Sequence, residues 1–307
     1  MEKRKIVGFG KSSLIVSLPK EWLAENKIKK GDDIFLDSDG DNLILSNTAI
    51  SLKKVERKCI IDATIEKPLP GIKREICARY INNYNIIEVR GARLKTNSTE
   101  IKEYIRNLMV FEILQEDEEK IISRDFLDIN SINAEEIVKR MYNSLRSGFT
   151  ELAQKITEKT YENLSEKEAQ MNSYFFLMQR FMRFHLERKN QKDNLLKMFD
   201  YWQTASNLED IGNYLRNIFL AQYNKEVEVT DQIVHLLREC ESYFKENMTA
   251  FFQKDSKKLN LLAEKRKELF EKIDKLRTEE NKIFLDQFML IVTRTHKAAR
   301  VMLSFTD

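Results

Sequence analysis

Proline and glycine are scarce and unevenly placed. The 307 residues hold three prolines and eight glycines. Every proline lies at or before Pro70, and beyond Gly91 only Gly148 and Gly212 remain. Both residue types interrupt helices, so the second half of the chain is nearly free of helix breakers. Cysteine is scarce too. Cys59, Cys77 and Cys240 are odd in number and far apart, which argues against a disulfide framework and fits free thiols in a reducing cytosol. A cytoplasmic location is therefore expected. No charge-free apolar run of about 18 residues occurs, so no membrane span is expected, and the polar start argues against a signal peptide. An excess of one charge is also missing. With 52 basic and 49 acidic residues the net charge is +3, so any nucleic-acid role must be local. The three histidines, His185, His235 and His296, share no metal-like spacing and are expected as partly buried helix residues. No Ser-His-Asp or Cys-His arrangement is readable, and no enzyme activity is expected.

What is present begins with residues 11–41, KSSLIVSLPKEWLAENKIKKGDDIFLDSDGD. Residues 13–18 read as a strand with β-branched Ile15 and Val16 inside. Pro19 ends it and suits the first turn of a short helix, where its missing N–H costs nothing. Trp22 and Leu23 are expected to face inward, and Asn26 to take the left-handed backbone of the helix exit. Lys30-Gly31-Asp32 reads as a turn. Residues 34–36 and 43–45 read as strands around a hairpin turn at Asp39-Gly40. With a strand over residues 5–7, the unit is too small to bury much core alone, and it needs a second copy of itself. The bases Lys3, Arg4, Lys5, Lys11, Lys20, Lys27, Lys29 and Lys30 crowd the first 30 residues, whereas Asp32, Asp33, Asp37, Asp39 and Asp41 follow without a base between them. One basic and one acidic end give such a unit an orientation toward a polyanion. Gly10-Lys11-Ser12 looks like the end of a phosphate-binding loop, but Lys5 stands where that motif needs glycine, and a strand follows instead of a helix.

The basic start, the GKSS at residues 10–13, the SLPKEWL at residues 17–23 and the KKGD at residues 29–32 together resemble the AbrB/MazE/SpoVT swapped-hairpin DNA-binding domain. One departure is Asn26, where that family often has glycine. The resemblance implies a homodimer formed through residues 1–52 and laid on double-stranded DNA. The DNA-binding candidates are Lys3, Arg4, Lys5, Lys11, Ser12, Ser13 and Lys20: charges and hydroxyls for phosphates, and Arg4 for a base edge.

Residues 53–130 read as a small α/β connecting domain of β-α-β-α-β-β order. Its strands fall at 59–65, 86–89, 111–114 and 120–123. A turn is expected at 67–71, and helices at 72–80 and 98–109, the second opened by Ser98 or Thr99. From Ala134 the apolar period becomes 3.6. Breaks near Leu164, Asn190, Lys225, Asp255 and Glu280 divide residues 131–307 into about six long helices in two sets of three. The fold class is multidomain α+β. Two three-helix repeats, with NLEDIGN at residues 207–213 and FLMQR at residues 176–180, resemble the PhoU family in the form that archaea fuse to an AbrB-type domain. That resemblance implies a six-helix bundle, a role in phosphate uptake or homeostasis, and a phosphate transporter or signalling protein as partner. It also raises a metal ion at acidic i, i+4 pairs. The counterparts are Glu168 with Asn172, and Glu209 or Asp210 with Asn213. In the second repeat, lining up Phe219 with Phe305 puts Thr295, His296 and Ala299 at those positions. Amides in place of the second acids bind hard cations poorly, so no resident metal is expected. The reading is a DNA-binding transcriptional regulator. The alternative is an adaptor docked on a transporter or signalling protein, with the first domain serving mainly to dimerise.

Overall fold

The computed structural model describes residues 3–10, 13–39, 42–46, 56–153, 158–187, 192–301 and 303. The chain divides into two compact units, Met1–Val55 and Glu56–Asp307.

The first unit is a small β structure with one short helix. Strand β1 (Val7–Phe9) pairs antiparallel with β2 (Ser13–Ile15), Val7 opposite Ile15. Pro19 precedes α1 (Lys20–Glu25). Asn26 does not take the left-handed exit expected of it. Its φ is −87° and its side-chain amide donates to the Trp22 carbonyl at 2.8 Å, while Lys27 turns left-handed at φ +56°. Trp22 and Leu23 are half-buried, and no residue of α1 is fully buried. Gly31, at φ +100°, makes the turn in which the Lys29 amide donates to the Asp32 carboxylate at 2.7 Å. Strand β3 (Phe35–Asp39) pairs antiparallel with β4 (Asn42–Ser46). Gly40 of the expected hairpin turn lies outside the described residues.

The second unit opens with a four-stranded sheet. Its strands are β5 (Lys58–Asp62), β6 (Ile86–Arg90), β7 (Phe111–Glu116) and β8 (Lys120–Asp125). They lie in the order β5-β6-β8-β7, with β5 parallel to β6 and the other pairs antiparallel. Helices α2 (Leu69–Ile81) and α3 (Leu94–Arg106) complete the expected β-α-β-α-β-β order. Their buried side chains, among them Ile72, Ile76, Tyr80, Ile101 and Ile105, meet Ile61, Ile87, Val89 and Ile121 of the sheet. Several boundaries differ from expectation: β5 stops at Asp62 instead of 65, and α3 stops at Arg106 instead of 109. The turn predicted at 67–71 is largely helix, because Pro68 caps α2 and Pro70 sits in its first turn, where no donor is needed. The helix predicted from Ser98 starts four residues earlier, at Leu94, and Asn97 interrupts it at φ −125°.

Six helices follow: α4 (Ala134–Leu152), α5 (Glu158–Leu186), α6 (Lys192–Tyr223), α7 (Asp231–Gln253), α8 (Ser256–Leu276) and α9 (Lys282–Arg300). The break expected near Leu164 is absent. Leu164 lies inside α5, and the polar run after it is a largely exposed helix face. Helices α4, α5 and α6 pack together, as do α7, α8 and α9, and the sets join through α6 on α9 and α4 on α7. The α6–α9 contact is antiparallel. Thr204 donates to the Ala298 carbonyl at 3.2 Å, Asp210 meets Arg294 at 3.1 Å, and Asn217 donates to Gln287 at 3.0 Å. One continuous apolar core runs through all six helices.

No boundary between compact units falls near residue 130. Helix α5 carries Phe176 onto the sheet domain's core, Ser173 donates to the Asn107 carbonyl, Arg183 donates to Asn82, and Arg57 pairs with Glu187 at 3.2 Å.

Candidate nucleic-acid interface

The first unit has no buried residue among those described. Leu14 is 74% exposed, Ile6 69% and Phe9 67%, and Val7, Ile15, Val16, Phe35, Leu36 and Leu43 are exposed as well. Alternation along a hairpin sends successive side chains to opposite faces. Val7, Phe9 and Ile15 therefore share one face of β1–β2, and Leu14 with Val16 the other. Both faces are apolar. Contiguous exposed apolar surface on this scale marks an interface.

The basic candidates are distributed along this hairpin. Lys3, Arg4 and Lys5 are exposed in extended chain just before β1, not inside the first strand as expected. Ser13 opens β2 and is exposed, and Lys20 opens α1 and is exposed. Lys11 and Ser12 lie outside the described residues. Strand β1 runs toward the Gly10 turn and β2 runs away from it. Arg4 and Lys5 thus sit at the end remote from the turn, on the side from which the chain continues to Lys20, with Ser13 toward the other end. A single protomer presents these groups at two ends of one hairpin.

The second cluster of candidates lies on the helices. Glu168 and Asn172 of α5 and Glu209 and Asn213 of α6 line one pocket with Ser144 and Gly148 of α4, Lys167 and Arg216. Its charges are compensated. Arg216 meets Glu168 at 2.7 Å, Asn213 donates to Glu209 at 2.9 Å, and Lys167 pairs with Glu151. Burial pushes the Glu209 carboxyl above the usual range; the Asn213 amide opposes this, and Asp210 and Glu168 add to it. Asp210 is not part of the pocket; it pairs with Arg294 of α9. Among the described residues no three His, Cys, Asp or Glu side chains are grouped to hold a metal.

The register expected between the repeats is off by one. The buried positions of α6, Met198, Tyr201, Thr204, Ala205, Leu208 and Ile211, coincide with Leu285, Phe288, Ile291, Val292, Thr295 and Ala298 of α9 at a spacing one residue longer than expected. His296, Lys297 and Arg300, rather than Thr295, His296 and Ala299, therefore stand for Glu209, Asp210 and Asn213. A slip of one residue keeps many apolar matches when apolar residues recur every three or four, so residue types alone did not reveal it. His235 also departs from expectation. It is exposed on the outer face of α7, 3.9 Å from Glu239.

The sequence reading missed one polar feature. Arg180 is fully buried, its guanidinium 4.6 Å from the centre of the Tyr80 ring and ion-paired with buried Asp125 of β8. Burial pushes the Tyr80 hydroxyl far above its usual range. The signal was an arginine inside the apolar stripe of Leu177 and Phe181.

A family model described as antidote-toxin recognition MazE, bacterial antitoxin, matches residues 9–55. The first unit is therefore similar to that family, in line with the AbrB/MazE-type resemblance. No curated protein and no solved structure matches the chain. Among the described residues no helix is long and apolar enough to cross a membrane.

Proposed function

We propose that the chain is a non-catalytic transcriptional regulator that binds double-stranded DNA as a homodimer through its first unit and takes its signal through the helical unit. One observation carries this. The MazE-like match over residues 9–55 coincides with a unit whose described apolar side chains are all at least partly exposed in one protomer, flanked by basic residues. A twofold partner would cover the apolar faces and double Arg4, Lys5, Lys11, Ser12, Ser13 and Lys20 across one surface. The regulated process we propose is phosphate uptake, which rests on the resemblance of the six helices to PhoU alone.

Salt-dependent binding to duplex DNA tests the first part. Lys11→Ala should weaken binding to every duplex and flatten the slope of log K against log salt by about 1.8, two phosphates at ~0.9 each. Arg4→Ala should cost about 1–3 kcal/mol per half-site on a preferred sequence and less on random DNA. Undetectable binding to any duplex at low salt would leave the first unit as a dimerisation module. Transcript levels in a deletion strain at high and low phosphate test the second part; unchanged phosphate-uptake genes would remove it. The family description favours a second reading, in which the first unit recognises a toxin. Recovery of a small toxin bound to the intact chain, with no duplex affinity, would establish that instead.

A further inference from the structure

The two helical repeats carry pockets at equivalent places, one with balanced charges and one whose charged lining is basic only. The burial patterns pair Ser144 with Tyr243 and Gly148 with Asn247, from α4 to α7. From α5 to α8 they pair Leu164 with Leu259, Glu168 with Ala263 and Met171 with Arg266. From α6 to α9 they pair Glu209 with His296, Asn213 with Arg300 and Arg216 with Leu303. The first repeat's members of these pairs line the charge-balanced pocket described above. The second repeat has a cavity of about 150 Å³ at the matching place, lined by Leu259, Asn260, Ala263, His296, Arg300 and Leu303. Both carboxylates of the first pocket are gone, one replaced by alanine and one by histidine.

The basic charges here are not compensated. Arg300, an exposed member of the lining, and half-buried Arg266, just outside it, have no carboxylate within ion-pair distance among the described residues, and Arg266 lies over the Phe270 ring at 5.2 Å. Burial holds the His296 imidazole below its usual range, and the guanidiniums of Arg266 and Arg300 push it the same way. Two buried polar atoms on α9 and α7 find no partner, the Thr295 hydroxyl and the Asn247 side-chain oxygen, but neither residue lines the cavity. The Tyr243 hydroxyl, which feels the Arg266 charge, is buried on α7 too. Two guanidiniums that act on one imidazole and have no carboxylate partner leave a positive field that an opposite charge would relieve.

We propose that this cavity binds one small tetrahedral oxyanion of the phosphate or sulfate class, held by Arg300, His296 and Asn260 of its lining, with the Arg266 charge close by. A cavity of about five water volumes admits such an ion and excludes a nucleotide or peptide. Guanidiniums supply the paired donors that suit a tetrahedral oxyanion. The inference stands on the cavity and does not depend on the DNA-binding reading.

The test uses the full chain, titrated calorimetrically with sodium sulfate and separately with inorganic phosphate, at ionic strength held constant with chloride. One saturable site per chain is expected. Arg300→Gln should weaken it about tenfold, the loss of one charge-assisted hydrogen bond, and Arg266→Gln should weaken it less, the loss of a nearby charge. Arg300→Lys should restore part of it, and Lys297→Gln, on the exposed side of α9, should leave it unchanged. Without anion, the two glutamine variants should melt no lower than wild type, because a repulsion is removed; a purely structural arginine would lower the melting point. Duplex affinity measured in chloride alone should not move, so loss of anion binding and loss of DNA binding are separable. No saturable sulfate or phosphate uptake above chloride, or wild-type affinity in Arg300→Gln and Arg266→Gln together, overturns the proposal.

Discussion

Arg180 is a buried guanidinium with an incomplete set of partners. Among the described residues its Nε and Nη1 have no hydrogen-bond partner, and Asp125 is the carboxylate it pairs with. Asp125→Ala would leave a buried guanidinium uncompensated, and chemical denaturation should report a loss of about 3–5 kcal/mol. Asp125→Leu combined with Arg180→Met should recover part of that, since the charge is gone but the Asn85 amide and the Leu127 N–H still lose their acceptor. Glu209 predicts a change of opposite sign. Its folded carboxyl titrates above the usual range, so the folded state binds that proton more readily than the unfolded chain. The group then costs stability as pH rises from the ordinary carboxylate range through its raised value. Glu209→Gln, which keeps the acceptor for Asn213, should raise the melting temperature at neutral pH and leave it unchanged near pH 4. An equal shift at both pH values would mean that packing, not charge, is responsible. These residues were only partly legible in the sequence. Glu168, Asn172, Glu209 and Asn213 are counterparts, through the PhoU resemblance, of pairs spaced i, i+4 on a helix, and they do share a pocket. The Asp125–Arg180 pair joins a strand to a helix 55 positions away, and no local period announces such a contact.

The helices were legible because an amphipathic stripe follows from 3.6 residues per turn; the capping side chains that fix three of their starts went unread. Asn133, Thr230 and Asp255 accept from the amides of Glu135, Ile233 and Lys258. Element ends were less legible, for the reason seen at Leu164, where a polar face imitates a loop. The strands of the sheet were found by their β-branched runs, but the way their ends cross was not. Gly91 shows what sets that crossing. It follows β6 at φ +132°, and a Cβ there would stand 2.4 Å from the Ala63 carbonyl oxygen. That same oxygen accepts from the Arg93 amide, and Ala63 donates to Arg90 at 2.6 Å. The approach locks the end of β5 against the entry to α3. Gly91→Ala meets both the clash and a backbone region that side chains avoid. It should cost at least about 2 kcal/mol, read as a lower urea midpoint. Gly71→Ala, in helix α2 with only ordinary contacts near 3.6 Å, is the matched control and should be neutral or stabilising.

At the scale of the whole molecule, the two units differ in how complete they are. The second has two apolar cores of its own, one in the sheet domain and one in the helices. The first has none among its described residues. A cover on one side cannot hide a hairpin whose two faces are both apolar, whereas a partner interleaved with it can. This gives the dimer proposal a discriminating form. On an isolated protomer, Leu14→Glu and Ile15→Glu replace exposed side chains on opposite faces of β2, and such changes are usually worth within about 0.5 kcal/mol. In an interleaved dimer each would bury two carboxylates, one from each protomer, at the apolar centre. Both variants should therefore sediment as monomers and lose duplex affinity together. The melting of residues 56–307 should stay at the wild-type temperature, because that unit's cores do not include the hairpin. If only one of the two variants dissociates, the partner covers a single face and the interleaved arrangement is wrong. If both remain dimeric with wild-type duplex affinity, the protomers meet elsewhere, and the exposed apolar hairpin must be covered by a different protein.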